Sequence, residues 1–171
     1  MPAIRLARPA DLPLLATIEA AAERLFVDFG IELPPSSVTE SRWFVDSCAD
    51  QRLLVAVADP EADLPVGFSL LELVDGAVYI DEIDVHPDHG RRGLGTVLVE
   101  ASCAWARERG HATITLTTWR DVPWNARFYR KLGFTEIPDA QLGPQLAAIR
   151  RDEAARGLEK QFPRCAMRRS V

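Results

Sequence analysis

The stretch Val85-His86-Pro87-Asp88-His89-Gly90-Arg91-Arg92-Gly93-Leu94-Gly95-Thr96 decides which fold this sequence predicts. It follows residues 77–85, whose alternating side chains predict a strand, and it leads into residues 94–109, whose apolar side chains have helical spacing. The glycines let backbone N–H groups approach a ligand closely, and a helix N-terminus adds unpaired donors and a partial positive charge. The stretch therefore predicts a loop that holds phosphate groups with backbone amides.

Two familiar glycine motifs do not fit this loop. No Gly-Lys-Ser or Gly-Lys-Thr follows, which excludes a P-loop, and the order G-x-x-G-x-G reverses the dinucleotide-binding fingerprint. A dinucleotide-binding domain would also open with a parallel strand-helix-strand unit, which this sequence lacks. The glycines alone fit a flexible loop with basic residues equally well, so a second motif is needed.

The rest of the chain mixes predicted helices and strands, without internal repeats or low-complexity tracts. Extended patterns predict strands over 4–7, 53–58, 66–74, 77–85, 112–118, 134–137 and 164–169. Helical spacing predicts helices over 10–29, 37–48, 94–109, 124–132 and 145–156. Ser37 and Glu40 have capping-box spacing, and Asp75-Gly76 predicts a tight hairpin. This order predicts an α/β (α+β) chain with a single sheet flanked by helices.

Length and composition bound the class of protein. The 171 residues predict one domain spanning 1–171, and 47% hydrophobic with 26% charged residues is typical of a globular chain with a sizeable core. The sequence has no run of about 20 apolar residues and no basic-then-apolar leader, which predicts a cytoplasmic protein without a membrane partner. Widely spaced Cys48, Cys103 and Cys165 predict buried thiols, not a disulfide framework or a zinc site.

Charge is divided unevenly along the chain. The net charge of -5 disfavours a nucleic-acid partner. Residues 1–85 carry 5 arginines and 16 acidic residues, a net charge of -11, whereas residues 86–171 carry 15 basic and 9 acidic residues, a net charge of +6. The division fits unevenly solvated faces, or a basic half that holds an anionic ligand beside an acidic half that faces a cation.

The glycine-rich stretch resembles motif A of the GNAT superfamily of acyl-CoA-dependent N-acyltransferases, V-x-P-x-x-(R/Q)-G-x-G-x-(G/A). The residues that match position by position are Val85, Pro87, Gly93 and Gly95. The family usually has Arg or Gln followed by Gly where this chain has Gly90-Arg91, so these two residues stand in the opposite order.

Residues 124–134, W-N-A-R-F-Y-R-K-L-G-F, resemble motif B of the same superfamily, a helix that ends in F-Y-x-x-x-G-F. The Phe128-Tyr129 and Gly133-Phe134 pairs fit closely. The Asn that the family usually has seven residues before the Tyr is replaced by Val122, and Asn125 stands nearer. With both motifs in the family's order, the resemblance covers residues 65–137.

The resemblance implies a mixed, mostly antiparallel, V-shaped sheet flanked by helices. It places acetyl-CoA between strands 77–85 and 112–118, puts the acceptor beside the region up to about residue 48, and implies no metal. It also implies a set of residues that contact acetyl-CoA: Ile83, Asp84, Val85, Gly90, Arg91, Arg92, Gly93, Leu94, Gly95, Thr96, Asn125 and Tyr129.

Amide formation from a thioester needs a neutral amine, a polarised carbonyl group and a protonated leaving thiolate. The resemblance assigns the carbonyl group to the backbone N–H of Val85. It assigns the thiolate to Tyr129, whose phenol has a reference pKa of about 10 and stays protonated near neutral pH. Packing beside Phe128 is the structural alternative for Tyr129.

The base is sought among the acids of residues 77–85. Alternation puts Asp81 and Ile83 on one face of the strand and Glu82 and Asp84 on the other, unless a bulge intervenes. The resemblance places a carboxylate, acting directly or through a water, three or four positions before Val85, which means Glu82 or Asp81. A solvated strand face is the alternative explanation of these acids.

The sequence therefore predicts an N-acetyltransferase that transfers the acetyl group of acetyl-CoA to a primary amine of a small molecule or peptide within a ternary complex. The acidic half favours a cationic acceptor, and the chain is expected to be a monomer or homodimer. His86 and His89 are expected to make polar contacts within the loop. The alternative function is a non-catalytic regulatory module that binds acyl-CoA.

Overall fold

The structure, a computed structural model, describes residues 2–34 and 42–171. Its strands are β1 (Ala3–Leu6), β2 (Leu53–Val57), β3 (Pro65–Val74), β4 (Ala77–Val85), β5 (Thr113–Trp119), β6 (Thr135–Ile137) and β7 (Arg164–Ser170). Its helices are α1 (Leu12–Asp28), α2 (Arg42–Ala49), α3 (Leu94–Glu108), α4 (Ala126–Lys131) and α5 (Pro144–Ala155), with 3-10 turns at Pro9–Asp11, Pro87–His89 and Asp139–Gln141. Within these ranges, no helix combines the length and apolar character needed to cross a bilayer.

The seven strands form one sheet in the order β1-β2-β3-β4-β5-β7-β6. Antiparallel pairs join β1 to β2, β2 to β3, β5 to β7 and β6 to β7, whereas Val78, Tyr79 and Ile80 of β4 pair in parallel with β5. Asp75 and Gly76 connect β3 to β4 with φ of 51° and 78°. Two successive positive φ values are those of a type I′ hairpin turn. The predicted sheet, mixed and mostly antiparallel with flanking helices, is confirmed.

One compact unit consists of Met1–Leu71 and Asp81–Cys103, and helices cover both faces of its strands. On one face, α1 and α2 pack on alternate residues of β2 and β3; this cluster contains Leu15, Ile18, Cys48, Leu53, Val55, Phe68 and Leu70. On the other face, α3 packs on the remaining positions; this cluster contains Leu94, Leu98, Ala56, Ile4, Val66, Ile83 and Val85. Since side chains alternate along a strand, Glu82 and Asp84 point to the α1 face of β4.

The second compact unit consists of Glu72–Ile80 and Ala104–Val171. Its apolar core contains Val74, Tyr79, Ile137, Leu146 and Ala166. The Asp75 carboxylate caps α5, because its oxygens accept hydrogen bonds from the backbone N–H groups of Gln145 and Leu146 at 3.0 and 2.9 Å.

A buried ionic network ties α5 to β5 and β7 in this second unit. Glu153 accepts hydrogen bonds from Arg150 at 2.7 Å, from Arg164 at 2.9 Å and from the Thr117 hydroxyl group. The Arg164 guanidinium lies 4.5 Å from the centre of the Trp119 ring, whose Nε1 donates to the Leu158 carbonyl oxygen at 2.8 Å. Trp119 is therefore part of the packed interior of this unit.

The predicted element bounds agree with the structure to within two residues, apart from the start of α2. The start predicted at Ser37, with its capping box to Glu40, lies outside the described residues.

Asp11 lies at the start of α1 without capping it, because its carboxylate accepts hydrogen bonds from Arg5 at 2.7 and 3.1 Å and from the Arg8 backbone N–H at 2.7 Å. The three cysteines are buried free thiols, as predicted.

Candidate active site

The glycine-rich loop joins the end of β4 to the first turn of α3. The 3-10 turn Pro87–His89 begins it, with the Asp88 backbone N–H donating to His86 Nδ1 at 3.3 Å and the Gly90 N–H donating to the Pro87 carbonyl oxygen at 2.9 Å. Arg91 and Gly93 then adopt left-handed conformations, with φ of 56° and 80°. Left-handed residues within a turn aim successive N–H groups into one concavity that suits an anion.

The reversed Gly90-Arg91 order has a structural consequence. Gly90 has a φ of -62°, which any residue adopts, whereas Arg91 occupies the left-handed position that the family's usual Gly would take. A Cβ at Gly93 would meet no atom within 4 Å, so the positive φ, not crowding, is what favours glycine there. Arg91 and Arg92 are both exposed, so their guanidinium groups remain accessible to a phosphate.

We expect Arg91→Gly to raise the free energy of unfolding by about 1 kcal/mol. A left-handed conformation costs a non-glycine residue roughly 1–2 kcal/mol, and the larger unfolded-state entropy of glycine offsets part of that gain. Urea unfolding measures the change. Arg92→Gly, which removes the same side chain from a residue without a positive φ, is the control and should leave stability unchanged or lower. Equal destabilisation by both substitutions would contradict this geometry.

The end of β4 carries acidic side chains next to the loop. Asp81 is exposed, whereas burial raises the pKa of Glu82 well above its usual value, with further contributions from Asp84 and Glu19. The pKa of Asp84 is also raised, to about 7, mainly by burial. A hydrogen bond with Glu82 lowers this pKa in part, whereas the charges of Glu19 and Glu23 raise it. The two strand carboxyls therefore form a pair that can share one proton.

Sequence reasoning missed the two acids that α1 adds to this pair. Glu19 is 4% exposed and Glu23, one turn later, has its pKa raised by burial and by the charge of Glu19. A signal was present in the sequence, because Leu15, Ile18 and Ala22 define a buried stripe and Glu19 occupies the matching position within it. A carboxylate on the apolar stripe of a helix is rarely buried unless it has a partner.

The predicted residues of motif B lie in the second compact unit. Tyr129 is 8% exposed on the short helix α4, and its ring makes edge contacts with Phe128 and Phe134 at centroid distances of 5.0 and 5.7 Å. Asn125 precedes α4, and its Nδ2 donates to the Thr118 hydroxyl oxygen at 2.9 Å. Its Oδ1 is buried and has no partner in the described part of the chain.

The structure groups the predicted site residues within each unit. In the first unit, Ile83, Asp84 and Val85 lead into the loop and helix start, and Glu82 joins Asp84 while Asp81 stays exposed. In the second unit, the Tyr129 backbone N–H donates to the Asn125 carbonyl oxygen at 3.3 Å. Val122, which replaces the family's usual Asn, is a buried apolar residue. The described residues contain no group of three or more His, Cys, Asp or Glu side chains that could hold a metal ion.

Comparisons with known proteins identify relatives in sequence and in fold. An uncharacterised N-acetyltransferase of Methanocaldococcus jannaschii is 37% identical over 57 residues, which cover 33% of this chain and 25% of that protein. A GNAT-family acetyltransferase of Staphylococcus aureus Mu50 superposes with a TM-score of 0.73 at 15% identity, covering 99% of both chains. The PaiA N-acetyltransferase of Thermoplasma acidophilum, solved in complex with coenzyme A, superposes with a TM-score of 0.70 at 15% identity, covering 100% of this chain and 99% of that one.

The chain spans only a quarter of the length of the archaeal relative. The superpositions on the two solved structures, in contrast, cover nearly all of both chains. The sequence model of the acetyltransferase (GNAT) family matches residues 18–134, more than half of the chain and a range that contains both motifs. This chain therefore belongs to the acetyltransferase (GNAT) family.

Proposed function

We propose that this chain transfers the acetyl group of acetyl-CoA to a primary amine by direct attack in a ternary complex. The observation that carries the proposal is the half-buried Glu82–Asp84 pair, which lies at the end of β4, next to a loop with left-handed residues before a helix start. The loop suits the pyrophosphate of the donor, and the carboxyl pair suits the proton of the acceptor.

The donor would bind mainly through backbone groups. N–H groups of residues 91–96 would meet the pyrophosphate, with Arg91 and Arg92 adding positive charge. Backbone groups of Ile83, Asp84 and Val85 would pair with the pantetheine amides, as an added strand pairs with a sheet edge. The buried Asn125 Oδ1, which has no partner among the described residues, could accept a further hydrogen bond from the donor. The name and coenzyme A complex of the Thermoplasma acidophilum protein support this choice of donor.

The chemistry requires two protons to leave the acceptor nitrogen and one proton to reach the thiolate, around one nucleophilic attack. Glu82 takes a proton from the acceptor ammonium, directly or through a water, and the freed amine nitrogen attacks the thioester carbonyl carbon. The carbonyl oxygen is stabilised by the backbone N–H of Val85, the C–N bond forms, and the C–S bond breaks. Tyr129 gives its phenolic proton to the leaving thiolate and regains a proton from solvent. The attacking nitrogen loses its second proton to solvent, and Glu82 releases the proton that it took, so the products are a neutral amide, free CoA and one net proton.

The raised pKa of Glu82 suits it to this task. A primary alkylamine with a pKa of about 10 is mostly protonated at neutral pH, so its base must compete for a tightly held proton. A carboxyl whose pKa is raised by burial, and by the neighbouring Asp84 and Glu19, binds that proton more strongly than an ordinary carboxylate does. Asp81 is exposed, which favours Glu82 over Asp81 as the base.

We expect acetyl-CoA to raise the melting temperature of the protein in a concentration-dependent way, as a ligand of the folded state does. Gly93→Val should weaken that binding at least about tenfold, because a β-branched residue strongly disfavours a φ of 80° and would change the direction of the loop amides. Gly110→Val, which places the same strain at the end of α3, is the matched control for lost stability and should retain the affinity. Unchanged affinity in Gly93→Val would place the donor elsewhere.

Thiol release separates transfer from mere binding. With acetyl-CoA and a panel of primary amines, an acetyltransferase releases CoA thiol at a rate that depends on the amine. A regulatory acyl-CoA-binding module would show the same rise in melting temperature without amine-dependent thiol release. That second result would overturn the proposed transfer and favour the binding module.

A further inference from the structure

The start of β3 approaches the end of β4 so closely, within the first compact unit, that Gly67 has no room for a side chain. A Cβ on Gly67 would lie 2.8 Å from the Asp84 carbonyl oxygen, 3.1 Å from Val85 Cγ2 and 3.3 Å from Leu98 Cδ1. The nearest of these atoms belongs to the backbone, so a change of side-chain rotamer does not relieve the contact. Gly67 does not have a positive φ, so close approach of another strand is what favours glycine there.

The crowded oxygen belongs to the peptide group that supplies the proposed donor to the thioester carbonyl. The Asp84 C=O and the Val85 N–H are parts of one peptide group, and in a trans peptide group these two bonds point in opposite directions. Because the Asp84 oxygen lies against β3, the Val85 N–H points away from β3. The next N–H, that of His86, donates to the Val66 carbonyl oxygen on β3 at 2.9 Å, which fits the alternating direction of N–H groups along a strand.

The Val85 N–H therefore points to the edge of β4 that does not face β3. On that edge β4 pairs with β5 through Val78, Tyr79 and Ile80, and Val85 lies five residues beyond the last of these pairs. None of the described strands pairs with Val85 on that edge. An N–H group that is fixed in direction and is not used by the sheet has the geometry that a carbonyl-polarising donor requires.

We propose that Gly67 is a positioning residue for acetyl transfer. The missing side chain lets the Asp84–Val85 peptide group place its carbonyl against β3 and direct its N–H to the thioester carbonyl of the donor. The inference rests on the proposed function, in which the Val85 N–H stabilises that carbonyl oxygen, and it adds a residue on another strand that acts through this peptide group. Packing alone is the competing explanation of the glycine.

Gly67→Ala should slow the chemical step more than it weakens binding. A contact of ordinary length is at least 3.4 Å, so the added methyl group must move the Asp84 carbonyl oxygen by about 0.6 Å. A misplacement of about 1 Å costs a catalytic arrangement on the order of 10²-fold in rate. We expect kcat for a primary amine to fall about tenfold, while the KM for the amine and the Kd for CoA, which lacks the thioester carbonyl group, change by less than about threefold.

Gly143→Ala is the matched control for crowding. It also adds a Cβ where none fits, against the side chain of Asp75, but it does so in the second compact unit and touches no residue of the proposed site. Both substitutions should lower the melting temperature, because both overpack a filled position, whereas only Gly67→Ala should lower kcat per folded molecule. Wild-type kcat in Gly67→Ala, or equal losses of kcat in the two variants, would reduce Gly67 to a packing residue and leave the proposed function intact.

The amide signal of Val85 gives a readout that does not depend on turnover. In protein labelled with 15N-valine, this signal is identified by its absence from the spectrum of Val85→Ile. We expect acetyl-CoA to shift it much more than CoA does in the wild type and in Gly143→Ala, and the difference to shrink in Gly67→Ala. Equal shifts with both ligands in the wild type would overturn the inference, even where Gly67→Ala does not fold.

A wild-type protein that binds acetyl-CoA and acetylates no amine would contradict the proposed function instead. The role of Gly67 would then be decided by the amide shifts alone. A Gly67→Ala protein in which acetyl-CoA and CoA shift the Val85 signal as they do in the wild type would overturn the inference. Loss of that difference in Gly67→Ala, and its retention in Gly143→Ala, would support it.

Discussion

Replacing Glu82 by Gln is expected to lower kcat/KM for a primary amine by about 10²- to 10⁴-fold at neutral pH, the usual contribution of a general base. Gln has nearly the same shape but cannot accept the ammonium proton. The loss should shrink at high pH, where more of the free acceptor is already neutral. Steady-state rates of thiol release measure the change, and an unchanged melting-temperature response to acetyl-CoA shows that donor binding is retained.

The pH profile gives the same prediction an independent readout. For the wild-type protein, kcat/KM should rise with pH as the Glu82–Asp84 pair loses its shared proton, in the region of the Asp84 pKa of about 7. In Glu82→Gln this part of the rise should disappear, and the rate should follow the ionisation of the amine alone. A rise near pH 7 that persists unchanged in the variant would contradict the role of the pair.

Loss of folded protein should not account for the lower activity of Glu82→Gln. Burial raises the pKa of both carboxyls, so the native protein keeps protons that the unfolded chain releases near pH 4. The contribution of these two carboxyls to the free energy of unfolding therefore falls as pH rises from about 4 to about 7. Glu82→Gln removes one source of this fall and should be at least as stable as the wild type at pH 8.

Asp81→Asn changes the exposed neighbour of Glu82 and should keep near wild-type activity. A large loss of activity in Asp81→Asn, with none in Glu82→Gln, would make Asp81 the base instead of Glu82.

Tyr129→Phe is expected to lower kcat by about 10²- to 10⁴-fold, towards the lower value if water replaces the phenol in part, with little change in acetyl-CoA affinity. The substitution deletes only the hydroxyl group, and the edge contacts of the ring with Phe128 and Phe134 remain. The melting temperature should therefore change little. A pre-steady-state burst experiment checks that chemistry, and not product release, limits turnover.

Tyr79→Phe is the matched control, because Tyr79 is the other of the two tyrosines in the chain. It is also buried, and its hydroxyl group lies 2.9 Å from the Thr117 hydroxyl oxygen. We expect its kcat to stay within a few-fold of the wild-type value. That result would show that losing a buried phenol hydroxyl group does not by itself cause the large loss of kcat expected in Tyr129→Phe. A Tyr129→Phe protein with wild-type kcat would reduce Tyr129 to a packing residue.

The fold was predictable where local patterns determine structure. Residues 77–85 alternate, Asp75-Gly76 has the sequence of a type I′ turn, and Gly110, with a φ of 79°, ends α3 where the helical spacing stops. Asp11 stands at the start of α1, where capping residues are common, but its carboxylate accepts hydrogen bonds from Arg5 on β1, a contact that local propensity does not contain. Helix α4 begins at Ala126, later than the predicted residue 124, because Asn125 has a non-helical ψ of -104°. The residue type alone does not determine that angle.

The site was predictable only in part, for a similar reason. Motif spacing identified the loop after β4, but the left-handed conformation of Arg91 became apparent only from the backbone. The proposed preference for Glu82 over Asp81 depends on which face of β4 meets α1. Ile83 and Val85 pack on α3, so Glu82 lies on the opposite face. Glu19 and Glu23 lie about 60 residues before the strand acids, so no short motif could contain both.

Detection of the acetylated product tests the account most directly. The protein, in excess over acetyl-CoA, is mixed with a primary amine for a single turnover, and free CoA thiol and N-acetylated amine are both quantified, the latter by mass spectrometry. Direct transfer with Glu82 as the base predicts equal amounts of the two products, formed with the wild type and greatly slowed in Glu82→Gln. Thiol release without acetylated amine, or a Glu82→Gln protein that forms the amide at the wild-type rate, would contradict it.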